Sequence, residues 1–362
     1  MTPSLPVVAL PRATGNGIVG RGEGWLSLDR DLRDSDGDRW YWHVRLTDAD
    51  GPVEVRMARP GLIGGFGPAI SRDGGAHYSW LADRYAVRDR FIVDVGRGED
   101  VLISATLPYG RSDLHRFLDE AGEGMERTTA VLSEAGRPVP FLRLPAAGRL
   151  RSRLVLTARH HACEAIGSLV LEGVVLGMLD LRRNGVEWAA HTEVAAYPIV
   201  DVDGAESGDQ GKARRPHDHN RDYGHVNRYA AVRAIRAVPL FDDAPVVVLD
   251  LHTPGLIGPL EERPFLVASG DAGDEEVVSS FAAGIGGGPQ ADPAVMVFDE
   301  PWNSISGEGA RCFAAWARNH PTVRLATSVE YPNAVVRGMP VSRGTAVRFG
   351  RRLADALGRV LD

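Results

Sequence analysis

Sulfur is scarce in this chain of 362 residues, which holds two cysteines, Cys163 and Cys312. They are too few for a disulfide framework and do not form a Cys-x-x-Cys pair, so sulfur is not expected to carry the chemistry. No apolar run approaches the roughly 18 residues that a membrane helix needs. The opening stretch MTPSLPVVALPRATGNG has neither the basic start nor the long apolar segment of a signal peptide. A soluble, cytoplasmic protein without a membrane partner is expected.

Positive charge is also in deficit. The formal net charge is −7, which argues against a phosphate backbone as the main partner and so against a nucleic-acid binder. Of the 41 lysines and arginines, Lys212 is the only lysine. What is present is ordinary globular material: a hydrophobic fraction of 44% and a charged fraction of 25% exclude disorder and fibre. The length suits about two domains of roughly 150 residues each.

Two patterns divide the chain. Over residues 1–109 short alternating runs recur between Gly and Asp-Gly punctuation: RWYWHVRL at 39–46, PVEVRMA at 52–58, then DRFIVDV and DVLISATL. Period-2 alternation at this spacing predicts a small N-terminal β-sandwich. From 110 to 362 the period changes. SDLHRFLDEA has a serine N-cap candidate, with Leu114, Phe117 and Leu118 at helical spacing. Beyond it, apolar strands at 153–158, 194–202, 244–251 and 322–329 alternate with helices over about 163–180 and 226–236. The expected fold is α/β, a mixed and mostly parallel sheet with helices on both faces. GIGGGPQ at 284–290 lacks the Gly-Lys-Ser/Thr ending of a phosphate loop and reads as plain loop.

Three of these strands end in polar residues. RLVLTA runs towards His160, His161 and Glu164, APVVVLDL into His252, and TVRLATSV into Glu330. Ligands of open α/β sheets bind at the carboxyl ends of strands, so residues distant in sequence converge there. Catalytic zinc takes three ligands from imidazole and carboxylate and keeps a fourth position open. His161 and Glu164 have a spacing that turns both side chains to one side, whereas His160 should turn away and serve as support or packing. A lone His-x-x-Glu is common by chance, but Asp250 two residues before His252 adds a partner able to orient the imidazole. The stretch GKARRPHDHNRDYGHVNRY at 211–229 reads either as a solvated basic loop or as a place where Asn220 and Arg221 grip a carboxylate, arginine supplying bidentate geometry.

Taken in order, His161-x-x-Glu164, Asn220-Arg221-Asp222, Asp250-Leu251-His252 and Glu330 in TSVEYP resemble the zinc metallocarboxypeptidase family. SATLPYGRSDLHRFL at 104–118 resembles the segment that joins a β-sandwich to the peptidase domain in its cytosolic branch. The resemblance covers nearly the whole chain. It implies Zn2+ held by His161, Glu164 and His252, with Glu330 as general base and acid and a peptide or protein C-terminus as substrate. Asn220 and Arg221 would bind the terminal carboxylate. Lys212, nine residues before Arg221, would polarise the scissile carbonyl where the family usually carries arginine. The two cations differ in shape and hydration, so the exchange is not a neutral one.

Departures from the family pattern are visible. Asp218-His219-Asn220-Arg221 stands for Asp-Leu-Asn-Arg, and His161-Ala162-Cys163-Glu164 for His-Pro-Gly-Glu. Between Tyr229 and Tyr331 there is no tyrosine to match the mobile one of the secreted enzymes. An aspartoacylase-like amidohydrolase fits less well, because its extra β domain follows the catalytic core and only residues 331–362 follow Glu330 here. A γ-glutamyl hydrolase of peptidoglycan peptides is a second rival, and a zinc-free binding module a third, which the complete ligand set disfavours. Arginines 214 and 215 would suit an acidic C-terminal residue, and so would a plain surface loop. No signal of oligomeric state is present.

Overall fold

The computed structural model describes residues 12–37, 39–81, 86–87, 89–122, 124–238, 241, 244–258, 262–286, 293–297 and 311–361. The glycine stretch expected as plain loop lies outside the described residues from 287 onward. Among the described residues no helix is long and apolar enough to cross a membrane.

Ten strands come first: β1 (Arg12–Asn16), β2 (Ile18–Gly22), β3 (Trp25–Leu28), β4 (His43–Thr47), β5 (Gly51–Met57), β6 (Ala69–Ser71), β7 (Ser79–Trp80), β8 (Ala86–Val87), β9 (Arg90–Val95) and β10 (Val101–Ser104). They form two five-stranded sheets, ordered β1-β4-β10-β6-β7 and β2-β3-β5-β9-β8. Strict alternation in β9, with Phe91, Val93 and Val95 buried and their neighbours exposed, gives its sheet one core face, whereas β6 and β10 of the other sheet are buried along their whole length. Val44, Leu46 and Ile103 of one sheet share a core with Leu26, Val53 and Val55 of the other, so the expected sandwich is present. Strand β4 is shorter than RWYWHVRL suggests. Trp40, Tyr41 and Trp42 are buried beside the sandwich outside any strand.

Next come α1 (Arg111–Ala121), the hairpin β11 (Glu126–Leu132) and β12 (Pro138–Leu144), then β13 (Ser152–Ala158), α2 (Ile166–Arg183), α3 (Glu187–Ala190), β14 (Thr192–Tyr197), α4 (Val202–Ser207) and α5 (Ala230–Ala237). The chain continues through β15 (Val246–His252), β16 (Phe265–Ala268), α6 (Ala272–Gly284), β17 (Ala294–Val297), α7 (Phe313–Arg318), β18 (Val323–Glu330), a small pair β19 (Val335–Val336) and β20 (Met339–Pro340), α8 (Arg343–Ala356) and α9 (Gly358–Leu361). The eight-stranded sheet runs β11-β12-β14-β13-β15-β18-β16-β17. Its centre, β14-β13-β15-β18, is parallel throughout. Every residue of β13 and β15 is buried, as strands covered on both faces require.

Several boundaries differ from the sequence reading for local reasons. Helix α1 is capped at Gly110, not Ser112, because the Asp113 carboxylate accepts the Gly110 N–H at 2.9 Å. Strand β14 stops at Tyr197, since Pro198 has no N–H to give a ladder, and Asp201 then caps α4 through Gly204 N at 2.9 Å. Helix α2 begins at Ile166, so His161 and Glu164 lie in the turn before it.

Glycines let α2 sit close to its neighbours. A Cβ at Gly173 would fall 2.2 Å from Val347 O of α8, and one at Gly167 would fall 2.6 Å from Leu251 O of β15. The second contact seats the start of α2 directly against the strand end that carries His252. Buried on the same helix, Glu172 accepts from Tyr109 OH at 2.9 Å and lies 2.8 Å from the Arg343 guanidinium. Burial pushes its carboxyl from the ordinary 4.5 up to about 8, against the pull of Arg343 and Tyr109.

Two outcomes follow from this packing. Gly173→Ala should lose about 2 kcal/mol or more in urea denaturation, while Gly224→Ala, where nothing lies within 4 Å of an added Cβ, should stay within about 0.5 kcal/mol. For Glu172, a pKa raised in the folded state means stability that is full below about 4.5 and lost as pH rises towards 8. Urea midpoints from pH 5 to 8 should therefore fall more steeply for the wild type than for Glu172→Gln; equal slopes would show that Glu172 does not titrate in this window.

Candidate functional site

Three neighbouring parallel strands deliver the polar residues to one edge. Strand β13 leads into Arg159, whose left-handed backbone (φ 62°) is held by a guanidinium bond to Tyr109 O at 2.8 Å. The turn sends the next two histidines different ways. His160 is fully buried, with Nδ1 2.8 Å from Asp250 Oδ1 and Nε2 2.8 Å from Tyr223 OH. His161 points to the cavity, with Nδ1 2.8 Å from Glu164 Oε1.

His252 completes a group of three. Its Nδ1 is 2.6 Å from Glu164 Oε2 and its Nε2 is 2.7 Å from Asp250 Oδ2. One donor atom each from His161, Glu164 and His252 lies within 4.8 Å of the others, and all three residues are buried. Donor atoms of His160, Asp250 and His252 are gathered as closely. The first group opens on the cavity through two imidazoles, whereas both nitrogens of His160 in the second are turned to Asp250 and Tyr223. The donors of the first, two imidazoles and a carboxylate, suit zinc.

The outward nitrogens of both imidazoles face carboxylates. Asp250 serves His252, and Asp218 Oδ1 stands 3.6 Å from His161 Nε2, too long for a hydrogen bond but close enough for a charge to act. Asp218 has no assigned role in the sequence reading; its place in Asp-x-Asn-Arg was the available signal. Burial raises the Glu164 carboxyl, but His161, Lys212 and His252 together outweigh it and hold Glu164 well below the usual range. Burial likewise lowers His252, and Asp250 and Glu164 overcome it, so the imidazole is held well above its ordinary value. The charges of this cluster therefore stabilise one another.

Glu330 ends β18 and pairs in register with His252 at the end of the neighbouring β15. Its Oε2 is buried without a hydrogen-bond partner among the described residues. Burial raises this carboxyl; His252 and Lys212 oppose the rise and Glu164 adds to it. Lys212 Nζ is 3.5 Å from Glu164 Oε1, and the side chain is 28% exposed. Asn220 Nδ2 lies 3.1 Å from His252 Nε2, and its Oδ1 accepts the Phe313 N–H at 2.9 Å.

All of these surround one cavity of about 460 Å³, lined by His161, His252, Glu330, Lys212, Asn220 and Arg221. Every sequence-predicted site residue except Glu164 lines it, and Glu164 lies directly behind the two imidazoles. The sandwich contributes Arg30, Arg39 and Trp40 to the same wall, which the sequence did not suggest.

Neither family models nor curated proteins match the sequence. Solved structures do. A metallo-carboxypeptidase from Burkholderia cenocepacia superimposes with a TM-score of 0.76 at 14% identity, over 97% of this chain and 99% of that one. A metallo-carboxypeptidase from Pseudomonas aeruginosa, solved with (2-guanidinoethylmercapto)succinic acid, gives 0.73 at 16% identity, over 97% and 99%. The chain thus has the metallo-carboxypeptidase fold along nearly its whole length, the sandwich included.

Asp250→Ala would leave His160 Nδ1, His252 Nε2 and the Thr157 hydroxyl buried beside a void. It should cost about 3 kcal/mol or more in urea denaturation, since each buried donor stripped of its acceptor costs about 1–3 kcal/mol. A loss under about 0.5 kcal/mol would show that water replaces the carboxylate.

Proposed function

We propose that the chain is a zinc-dependent metallocarboxypeptidase that hydrolyses the last amide bond of a peptide. The observation that carries this reading is the meeting, at one cavity, of a buried two-histidine, one-carboxylate group with Glu330, whose Oε2 has no hydrogen-bond partner among the described residues, and with the cations Lys212 and Arg221 among others. The fold shared with metallo-carboxypeptidases agrees with it.

His161, Glu164 and His252 would hold the zinc ion, which when bound supplies Lewis acidity to the carbonyl and eases ionisation of the attacking water. Glu330 takes the proton of that water as its oxygen attacks the carbonyl carbon. A carboxyl raised by burial suits this work, because a base poised nearer neutral pH can also return the proton. Lys212 faces the developing oxyanion with a compact positive charge. Glu330 then hands the proton to the departing amide nitrogen, and the C–N bond breaks to give a shortened carboxylate and a free amino acid. Arg221, with its planar fork, holds the substrate's terminal carboxylate and sets which bond reaches the cluster. Asp250 and Asp218 keep the two imidazoles turned to their ligand faces.

The test pairs metal content with turnover of an N-acylated dipeptide carrying a free C-terminus. The wild type should bind about one zinc per chain and release the terminal amino acid. Glu330→Gln should keep the metal and lose about 10²-fold or more in kcat. His161→Ala and His252→Ala should lose metal and activity together. A Glu330→Gln variant with wild-type kcat would remove Glu330 from this role, and a chain that takes up no zinc would overturn the reading.

A further inference from the structure

The sole lysine of the chain sits on a loop without regular structure, yet its backbone is held on both sides. From the sandwich, Asp34 accepts Gln210 N–H on Oδ1 at 3.0 Å and Gly211 N–H on Oδ2 at 2.8 Å. Ser35 Oγ donates to Lys212 O at 2.6 Å, and Asp36 N donates to Ala213 O at 3.1 Å. Three consecutive sandwich residues thus bracket Lys212. Gln210, itself fully buried, is gripped by its side chain as well: Oε1 accepts Tyr41 N–H at 3.1 Å, and Nε2 donates to Asp31 O at 2.9 Å and to Tyr41 O at 2.8 Å.

The opposite side of the loop rests on the metal-ligand turn. Cys163, between His161 and Glu164, donates its N–H to Gln210 O at 3.0 Å. Gly211 has a left-handed backbone (φ 74°), and a Cβ there would fall 2.1 Å from Ala162 N, so only glycine permits this approach. Ala213 is also left-handed (φ 55°), a conformation a non-glycine residue keeps only where its surroundings impose it. Asp34 is further tied to Arg214 Nε at 3.2 Å, while Arg214 reaches Asp201 and Asp209 at 2.8 and 3.0 Å.

We propose that Asp34, which touches neither Lys212 Nζ nor the cavity, is a positioning residue. By holding the Gln210 and Gly211 amides it aims the Lys212 ammonium at the reacting carbonyl, which makes the sandwich a working part of the active site. The proposal rests on the role given to Lys212 above. An ammonium on a flexible four-carbon stem does electrostatic work only if its root is fixed, because a displacement of about 1 Å at a reacting centre costs as much as 10²-fold.

Two measurements test it. In steady-state kinetics on the N-acylated dipeptide with the zinc-loaded enzyme, Asp34→Ala should lower kcat about 10- to 100-fold and leave KM within about threefold. Added to Lys212→Ala, it should cause less than about threefold further loss, because it acts through that lysine. Asp34→Asn, which keeps one carbonyl acceptor, should fall between Asp34→Ala and the wild type. Losses that multiply in the double variant, or that fall on KM alone, would overturn the proposal and leave Asp34 as scaffolding. The second measurement needs no activity: in protein grown with 13C-lysine, Lys212 gives a single side-chain Cε signal. Asp34→Ala should shift or broaden that signal, whereas Gly224→Ala should leave it in place. An unchanged signal in Asp34→Ala defeats the proposal even in an active enzyme, whereas a shifted signal in a chain that cleaves no peptide defeats the functional reading alone.

Discussion

Everything at this site depends on keeping one carboxylate charged where water does not reach. Glu164 is 2% exposed, and burying an isolated carboxylate would neutralise it. Two imidazoles and an ammonium prevent that, at 2.8, 2.6 and 3.5 Å. The same requirement then passes outward. Each imidazole that faces Glu164 needs a counterpart behind it, supplied by Asp250 and Asp218, and Asp250 also serves His160. Alternating positive and negative groups, each partly neutralised by the next, make a buried cluster tolerable and give it one geometry.

The parallel centre of the sheet is what makes the cluster compact. His252 and Glu330 are register partners on β15 and β18, so their separation is set by backbone hydrogen bonds and not by loops. Gly167 allows α2 to seat against β15 and brings the turn with His161 and Glu164 onto the same edge. Strands and the start of α2 thus place four of the five residues of the cluster. Lys212 is the exception, and it is there that a second domain intervenes.

What could be read in the sequence follows this division. His161, Glu164, His252 and Glu330 end apolar runs, and a polar residue after a buried strand has few places to go, so both the fold class and the ligand candidates were visible. The orientation of His160 away from His161 was legible from alternation. For Asp218 the Asp-x-Asn-Arg pattern was the one signal, because its approach to His161 depends on a loop with no periodic pattern folding back on itself. The stretch DRDLRDSDGDR at 29–39 looks like a solvated acidic turn; nothing in its composition says that Asp34 and Ser35 spend their polar groups on the backbone around Lys212. The cap at Gly110 was missed for a similar reason, since Asp113 bonds to a residue before the helix and not to one within it.

The two cores make the same point about the domains. Cys163, Leu256, Ala334 and Val335, all from beyond residue 110, pack in the cluster that fills the sandwich. Cys163 belongs to the His161–Glu164 turn, so the turn is wedged between the sandwich core on one side and β15 on the other. Such a wedge resists rotation better than a turn exposed to solvent, because displacing it would open a cavity in a packed interior. The sandwich therefore acts on the site at two points, through apolar packing beneath His161 and Glu164 and through hydrogen bonds around Lys212. Separating it from the larger domain would expose Cys163 and unfasten Gln210 in the same step, so the part of the chain that holds the buried cluster is not a complete unit by itself.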